Sequence, residues 1–308
     1  MNNIFNSFFF NLKHYKHPQK KPTKLDQARR FYKKGNISAA YTAIKSYLAT
    51  RPLDIYARLM LIHVLQLNEQ YAYAYQLLTI WSKSEPDNHI WYQSIHSMAH
   101  ATGTWGTAYT LMSELVYTHP SLIAHHCMAE IAFKSKHYSQ ANACWQKVYD
   151  QSNDEYTKAY ALYYQGIHAL SLKESKKLEE IIIKSKNIAI KFTPLEHFKA
   201  QYYINKKQLK QADYILKNIS ASGNSEPTIQ ATKSWLLYKE HKYKQAFQVL
   251  KSINPYIQGC IPCVRAACIY HKAGQINAAR DFFVRAQASA RSSYDHHKIA
   301  QHAHLFYS

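Results

Sequence analysis

The sequence predicts an all-α chain: a right-handed α-solenoid of about eight helix-turn-helix repeats, closed by a C-terminal capping helix. Three observations carry this reading. Pro52, Pro86 and Pro120 recur every 34 residues, and an alanine twelve positions before each (Ala40, Ala74, Ala108) recurs in step. Only 7 of the 308 residues are Gly and 9 are Pro, so few breakers interrupt a helical pattern. Self-similarity at such a period marks a repeat array, in which each unit packs only on its neighbours and the core can extend beyond the size of a globular domain.

The elements follow from that frame in order. In the first three repeats the alanine is followed four residues later by Ile44, Leu78 or Met112, and seven later by Tyr47, Trp81 or Leu115. That spacing is one apolar stripe along the second helix of a pair. Five residues before the alanine stand Gly35, Glu69 and Gly103, where the chain reverses between the two helices. The prolines then stop the second helix and open the next unit. Ala141 with Trp145 and Val148 forms a fourth repeat; Leu178 with Ile182 forms a degenerate fifth, after a polar loop near 151–154. Ala212, Ala246 and Ala279 restart the rhythm, with Leu216, Leu250 and Phe283, then Ile219, Ile253 and Ala286, on the stripe. The predicted helix pairs are 24–34 and 37–50, 54–68 and 71–84, 88–101 and 104–118, 121–135 and 138–150, 155–171 and 174–190, 194–205 and 208–219, 227–240 and 243–253, and 260–272 and 276–289. A more polar helix over 293–306 suits the exposed end of a stack. The chain thus divides into a basic, aromatic N-terminal segment (1–22), a repeat domain (23–292) and a capping helix with tail (293–308).

The small/aromatic pairs of the first helices (Ala28/Phe31, Ala200/Tyr203, Ala267/Tyr270), the second-helix alanine, the large residue four later and the closing proline resemble the tetratricopeptide repeat (TPR) family over roughly residues 23–292. The chain departs from that pattern where the early Trp of the first helix reads Arg58, Tyr92 or Leu162, and where Leu178 replaces the alanine. The resemblance implies a superhelix whose concave groove is lined by one stripe of each first helix and holds a partner's extended peptide or helix. Carried over by register, that stripe contains Arg29, Tyr32, His63, Gln66, His100, His126, Lys134, Tyr163, Gln201, Trp235, Tyr238 and Lys239 as candidate partner-binding residues. Aromatic and amide side chains are good peptide contacts, and Glu130 is almost the only carboxylate on the stripe. A neutral or acidic segment with aromatic or aliphatic anchors fits this lining. The plainer reading is that these Tyr and His residues fill helix–helix contacts. A family subgroup clamps a C-terminal carboxylate with Lys and Asn; Leu25 and Arg29 stand at the first of those positions, so that activity is not assigned.

Charge adds a second reading. Lys and Arg total 39 against 19 Asp and Glu, a formal +20, which attracts acidic proteins, nucleic acid or anionic lipid. Residues 1–34 alone carry nine Lys/Arg and one Asp. There Phe8 and Phe9 precede Lys13, Lys16, Lys20 and Lys21, a short apolar stretch beside a basic run that could lie on a membrane surface or hold an anion. The alternative function is binding of an anionic surface, RNA or acidic lipid headgroups, through the basic N-terminal third; the plainer reading is that the Phe cluster caps the first repeat and the basic stretch is a solvated linker. Lys outweighs Arg, and no base-reading code or aromatic platform is present, which argues against nucleic acid.

Chemistry is weakly signalled. No Gly-rich phosphate loop, G-x-S-x-G elbow or paired catalytic carboxylates occur, so a non-catalytic scaffold or assembly factor is expected, with no cofactor. Cys260-x-x-Cys263 lacks a second pair, and the His96/His100 spacing is unsurprising among 18 His, so no metal site is assigned. Five Cys scattered over the chain are not a disulfide framework and read as small core residues. No apolar run is long enough to span a membrane. The opening MNNIFNSFFFNL has its Lys residues after the apolar stretch and no cleavage site, a poor export signal. A cytoplasmic setting, at most peripheral to a membrane, is expected.

Overall fold

The computed structural model describes residues 23–172, 174–223, 226–290 and 293–306. Phe8, Phe9, Lys13, Lys16, Lys20 and Lys21 lie outside the described residues. All regular structure among the described residues is helical. The α-helices are α1 (Lys24–Lys33), α2 (Ile37–Leu48), α3 (Ile55–Leu67), α4 (Tyr71–Ser84), α5 (Ile90–Thr102), α6 (Trp105–Thr118), α7 (Leu122–Lys134), α8 (Tyr138–Gln151), α9 (Glu155–Ser171), α10 (Ser175–Ser185), α11 (Thr193–Asn205), α12 (Leu209–Ala221), α13 (Pro227–Lys239), α14 (Tyr243–Ser252), α15 (Cys260–Lys272), α16 (Ile276–Ser289) and α17 (Ser293–His302). Single 3-10 turns cover Asn254–Tyr256 and Ala303–Leu305. The chain forms two compact units that divide between Val148 and Tyr149, inside α8.

Each unit repeats one packing rule. Odd helices are the first of a pair and even helices the second. In the first unit α1 packs on α2, α3 on α4 and α5 on α6, while α3 meets α5 and α5 meets α7. In the second unit α9, α11, α13 and α15 each pack on the next helix, and α9 meets α11, α11 meets α13, and α13 meets α15. First helices of successive repeats therefore lie side by side within a unit and share one face. The periodic alanines explain the close approach within a pair. Ala40, Ala74, Ala108, Ala141, Ala212, Ala246 and Ala279 have no exposed surface, and the large residues four later are buried against them. One hairpin leaves an apolar face that only its neighbour covers.

The reversal between helices is a Schellman turn. In the first repeat Asn36 N–H donates to the Phe31 carbonyl (2.9 Å) and Gly35 N–H to that of Tyr32 (2.9 Å). The residue at this slot needs positive φ, and Gly35 (74°), Gly103 (73°) and Gly274 (78°) supply it. Glu69, Lys136, Lys207 and His241 hold the same left-handed conformation at φ 57–68°. An added Cβ at Gly103 would meet nothing within 4 Å, so its substitution isolates the backbone term. Gly103→Ala is expected to cost ~1–2 kcal/mol in urea unfolding, whereas His241→Gly is expected to be neutral or to stabilise slightly. Equal stability of Gly103→Ala and the parent chain would contradict a required left-handed turn.

Two differences from the sequence reading have local causes. The second helix of the fifth repeat ends at Ser185 rather than 190. The Ala189 N–H is taken by the Glu155 carboxylate (3.0 Å), which draws the chain out of the helix while Ile188 and Ile190 still pack on the core that contains buried Phe192. On the opposite helix Gly166 admits the Phe198 ring so closely that a Cβ there would sit 2.5 Å from it. The last helix, read over 293–306, ends at His302 and tightens into a 3-10 turn. It buries Ile299 and Phe306; Phe306 stacks on Phe283 of α16 with ring centroids 4.4 Å apart, and α17 packs on α15 and α16. No helix among the described residues is long and apolar enough to cross a membrane.

Candidate functional site

The face shared by the first helices gathers the polar and aromatic groups in each unit. In the first unit the Tyr32 hydroxyl of α1 and His63 Nε2 of α3 are 2.7 Å apart, their rings 5.5 Å apart. Burial pushes the His63 imidazole below its usual range, and a hydrogen bond with Gln66 partly opposes this. Arg29 leans back to Asp26 on its own helix (3.7 Å). Further along, Glu130 of α7 bridges two imidazoles: His96 Nε2 of α5 lies 2.6 Å away and His126 Nε2 of α7 lies 3.6 Å away. Trp145 closes on His126 with centroids 5.1 Å apart, and exposed His100 meets Trp105 edge-on at 5.9 Å. Lys134 is exposed at the end of α7.

The second unit carries a different set. Tyr163 of α9 is half-buried among Tyr164, Phe192 and Phe198, with centroids 5.2–6.5 Å away, so it belongs to an aromatic core. Gln201 of α11 hydrogen-bonds His197 (3.2 Å), whose Nε2 is 2.7 Å from Thr232 Oγ1 of α13. Burial, with the Arg265 charge adding to it, holds the His197 imidazole down to about 4. Trp235 and Tyr238 stack face to face at 4.9 Å, and the Lys239 ammonium sits 4.5 Å over the Trp235 ring. Arg265 of α15 reaches the same ring at 5.7 Å. Burial pushes the Tyr238 phenol to about 12.

The first-helix register includes Tyr32 and His63, which the packing of α1 near α3 brings together, and Trp235, Tyr238 and Lys239, which share α13. It missed His96, Trp105, Trp145 and Arg265. The signal for His96 was available: it stands 34 residues before Glu130, one repeat away on adjacent first helices. Among the described residues no three His, Cys, Asp or Glu gather as a metal site. All five cysteines are buried. Burial raises the Cys127 and Cys268 thiols to about 12 and those of Cys144 and Cys260 to about 11, so they are neutral at physiological pH.

No family model matches the chain, and no curated protein matches it by sequence. Solved structures do. A tetratricopeptide repeat protein from Parabacteroides merdae aligns with TM-score 0.56 and 13% identity over 92% of this chain and 98% of its own. Cut9, in the APC/C Cut9–Hcn1 hetero-tetramer, aligns with TM-score 0.56 and 11% identity over 90% of this chain and 55% of its own. Yeast Tom70 aligns with TM-score 0.50 and 12% identity over 95% of this chain and 65% of its own. The chain spans nearly all of the first relative and only about half to two thirds of the other two. At these identities the likeness speaks for architecture alone: the chain is an all-α repeat solenoid with the tetratricopeptide-repeat fold.

Proposed function

We propose that the chain is a non-catalytic interaction scaffold that holds a peptide or helix of a protein partner along its first-helix faces. The observation that carries this reading is the lining of those faces. Tyr32–His63 and His96–Glu130–His126 join adjacent first helices, and on α13 Tyr238 and Lys239 stand beside the buried Trp235 ring. Such amphipathic side chains offer contact area and directional bonds at low entropy cost. The Cut9 neighbour, seen assembled with Hcn1, shares the architecture and so supports the class of function.

The test compares two faces of the same helical array. Tyr32→Ala, His100→Ala and Gln201→Ala alter the first-helix faces; Tyr214→Ala and Val284→Ala alter exposed second-helix positions. Partner capture from native lysate is expected to fall about tenfold or more for the first group when a contact of ~1.5 kcal/mol or more is lost, and to stay at the parent level for the second. The reverse pattern, with helicity unchanged, would reject the assignment.

A further inference from the structure

The first helices of the second unit lie side by side, and the chain returns through a second helix before each new one begins. They therefore run parallel, and their C-terminal ends share one edge of the unit. Short turns fill that edge, after Ser171 of α9, Asn205 of α11, Lys239 of α13 and Lys272 of α15. The edge is rich in lysine. Lys176, Lys210 and Lys244 recur every 34 residues, each the second residue of a second helix, and all three are exposed. In the first unit the same register holds Ser38, Ala72, Gly106 and Ser139, so the repeat itself does not call for a cation there. A lysine in the first turn also opposes the helix dipole, and α10, α12 and α14 carry no acid in that turn. Lys207 and Lys272, both exposed, add to the edge. Acids offset only part of this charge: Glu174 pairs with Lys177 (3.5 Å), Glu179 with Lys206 (2.6 Å) and Glu240 with Lys242 (2.9 Å). Lys176, Lys207, Lys210, Lys244 and Lys272 make no ion pair among the described residues. The connections at the opposite edge hold only Lys186 and Lys191 among the described residues.

We propose that this lysine edge docks the second unit on an anionic lipid bilayer, with its helices meeting the surface end-on. Charge complementarity decides the occupant. The unpaired cations are all lysines, compact point charges on flexible stems, which suit headgroups that rearrange around them; fixed phosphates of a nucleic acid are better held by arginine forks. Single-stranded nucleic acid also needs free aromatic faces, and the Tyr243 ring on this edge already meets Tyr238 (5.4 Å) and His241 (5.8 Å). Neighbouring helices lie roughly 10 Å apart, so an acidic peptide would have to match that interval, whereas a bilayer offers charge to every lysine whatever the interval. Leu172 and Ile276, 43% and 41% exposed, bring apolar side chains to the first and last of the four turns, where a bilayer interface can take them. This contact uses the turns and leaves the first-helix faces open, so it stands apart from the docking reading above.

The experiment is co-sedimentation of the full chain with vesicles of phosphatidylserine and phosphatidylcholine, and with vesicles of phosphatidylcholine alone. Binding is expected for the first kind only, and added salt should weaken it as the surface charge is screened. A lysine at an anionic surface is worth roughly fivefold in affinity. Lys210→Gln with Lys244→Gln is therefore expected to weaken binding about thirtyfold, and Lys210→Arg with Lys244→Arg to retain it. Lys186→Gln with Lys191→Gln removes the same charge from the opposite edge and is expected to cost less than about threefold. All these side chains are exposed, so melting midpoints should match the parent and separate lost binding from misfolding. Glutamine at Lys13, Lys16, Lys20 and Lys21 should leave the sensitivity to Lys210 and Lys244 intact. No binding to the anionic vesicles would overturn the proposal. So would equal losses from the two edges, which would mean that net charge alone acts, or binding that depends on the N-terminal lysines and ignores Lys210 and Lys244. Tighter binding to single-stranded RNA or to polyglutamate than to the vesicles would overturn it as well. Vesicle binding is read without a partner, and partner capture without vesicles, so either reading can fail while the other stands.

Discussion

Below pH 6 the second unit is expected to lose most of its stability, because buried imidazoles must take up protons to unfold. His168 of α9 is buried, and desolvation, with the Lys177 charge adding to it, holds its imidazole at about 4. His197 of α11 is held at about 4 by burial and by Arg265. An unfolded histidine titrates near 6.5. Between about 6.5 and 4 the unfolded chain therefore binds protons that the folded chain refuses. Stability is fully present above the unfolded value and falls with pH until the folded value is reached. Each group loses up to ~1.4 kcal/mol per pH unit, or about 3 kcal/mol across the window. Two together approach the whole stability of a small domain. Burial also lowers His302 in this unit, and His63 and His125 in the first. Far-ultraviolet dichroism followed from pH 8 to pH 3 should show a transition centred between pH 6 and pH 4. His168→Phe should move it down by about half a unit or more. A midpoint that ignores this substitution, or lies below the ordinary carboxylate range, would contradict the assignment.

Arg58→Ala is expected to be the most damaging single substitution in the first unit, at about 3–5 kcal/mol. Arg58 occupies the first-helix slot where the resembled family carries Trp, yet only 6% of it is exposed. Its guanidinium lies over Trp81 (5.1 Å) and Trp91 (5.8 Å). Its Nε donates to the Pro52 carbonyl (2.6 Å) and its Nη1 to Glu85 Oε1 (2.5 Å). Glu85 in turn accepts from Asn88 (3.1 Å) and Trp91 Nε1 (3.3 Å). Burial pushes the Glu85 carboxyl up, but the hydrogen bonds from Asn88 and Arg58 and the Arg58 charge outweigh it and hold the group below its ordinary value. Truncation would leave that carboxylate without its cation and open a cavity between two indoles. Arg58→Ala combined with Glu85→Gln should recover at least 1 kcal/mol relative to the sum of the single changes. Additive effects in urea unfolding would show that the pair is not coupled.

The same slot shows what sequence could and could not reveal. Tyr92 stands one repeat after Arg58, and its hydroxyl donates to the Pro86 carbonyl (2.7 Å) as Arg58 donates to Pro52. In these two repeats a flat side chain carries a donor that reaches the corresponding carbonyl, whereas Leu162 at this slot of the fifth repeat carries none. Periodicity saw the slot and the departure from Trp, but not the reason, because Glu85 is 27 residues from its partner. Helix positions were legible because alanine, stripe and turn repeat locally: the pair read at 260–272 and 276–289 runs Cys260–Lys272 and Ile276–Ser289. The end of α10 was not legible, since a side chain from another helix, Glu155, decides it. Likewise, stepping along α13 finds Trp235, Tyr238 and Lys239, while Arg265 joins them only once α15 is packed alongside.

Amide hydrogen exchange of the chain alone and with its captured partner tests the central claim most directly. Slowed exchange should concentrate on the odd-numbered helices, α1 to α15, where the first-helix faces lie, and leave α4, α6, α12 and α16 unchanged. Protection confined to those even-numbered helices, or to the connecting turns, would contradict docking on the first-helix faces of the two units.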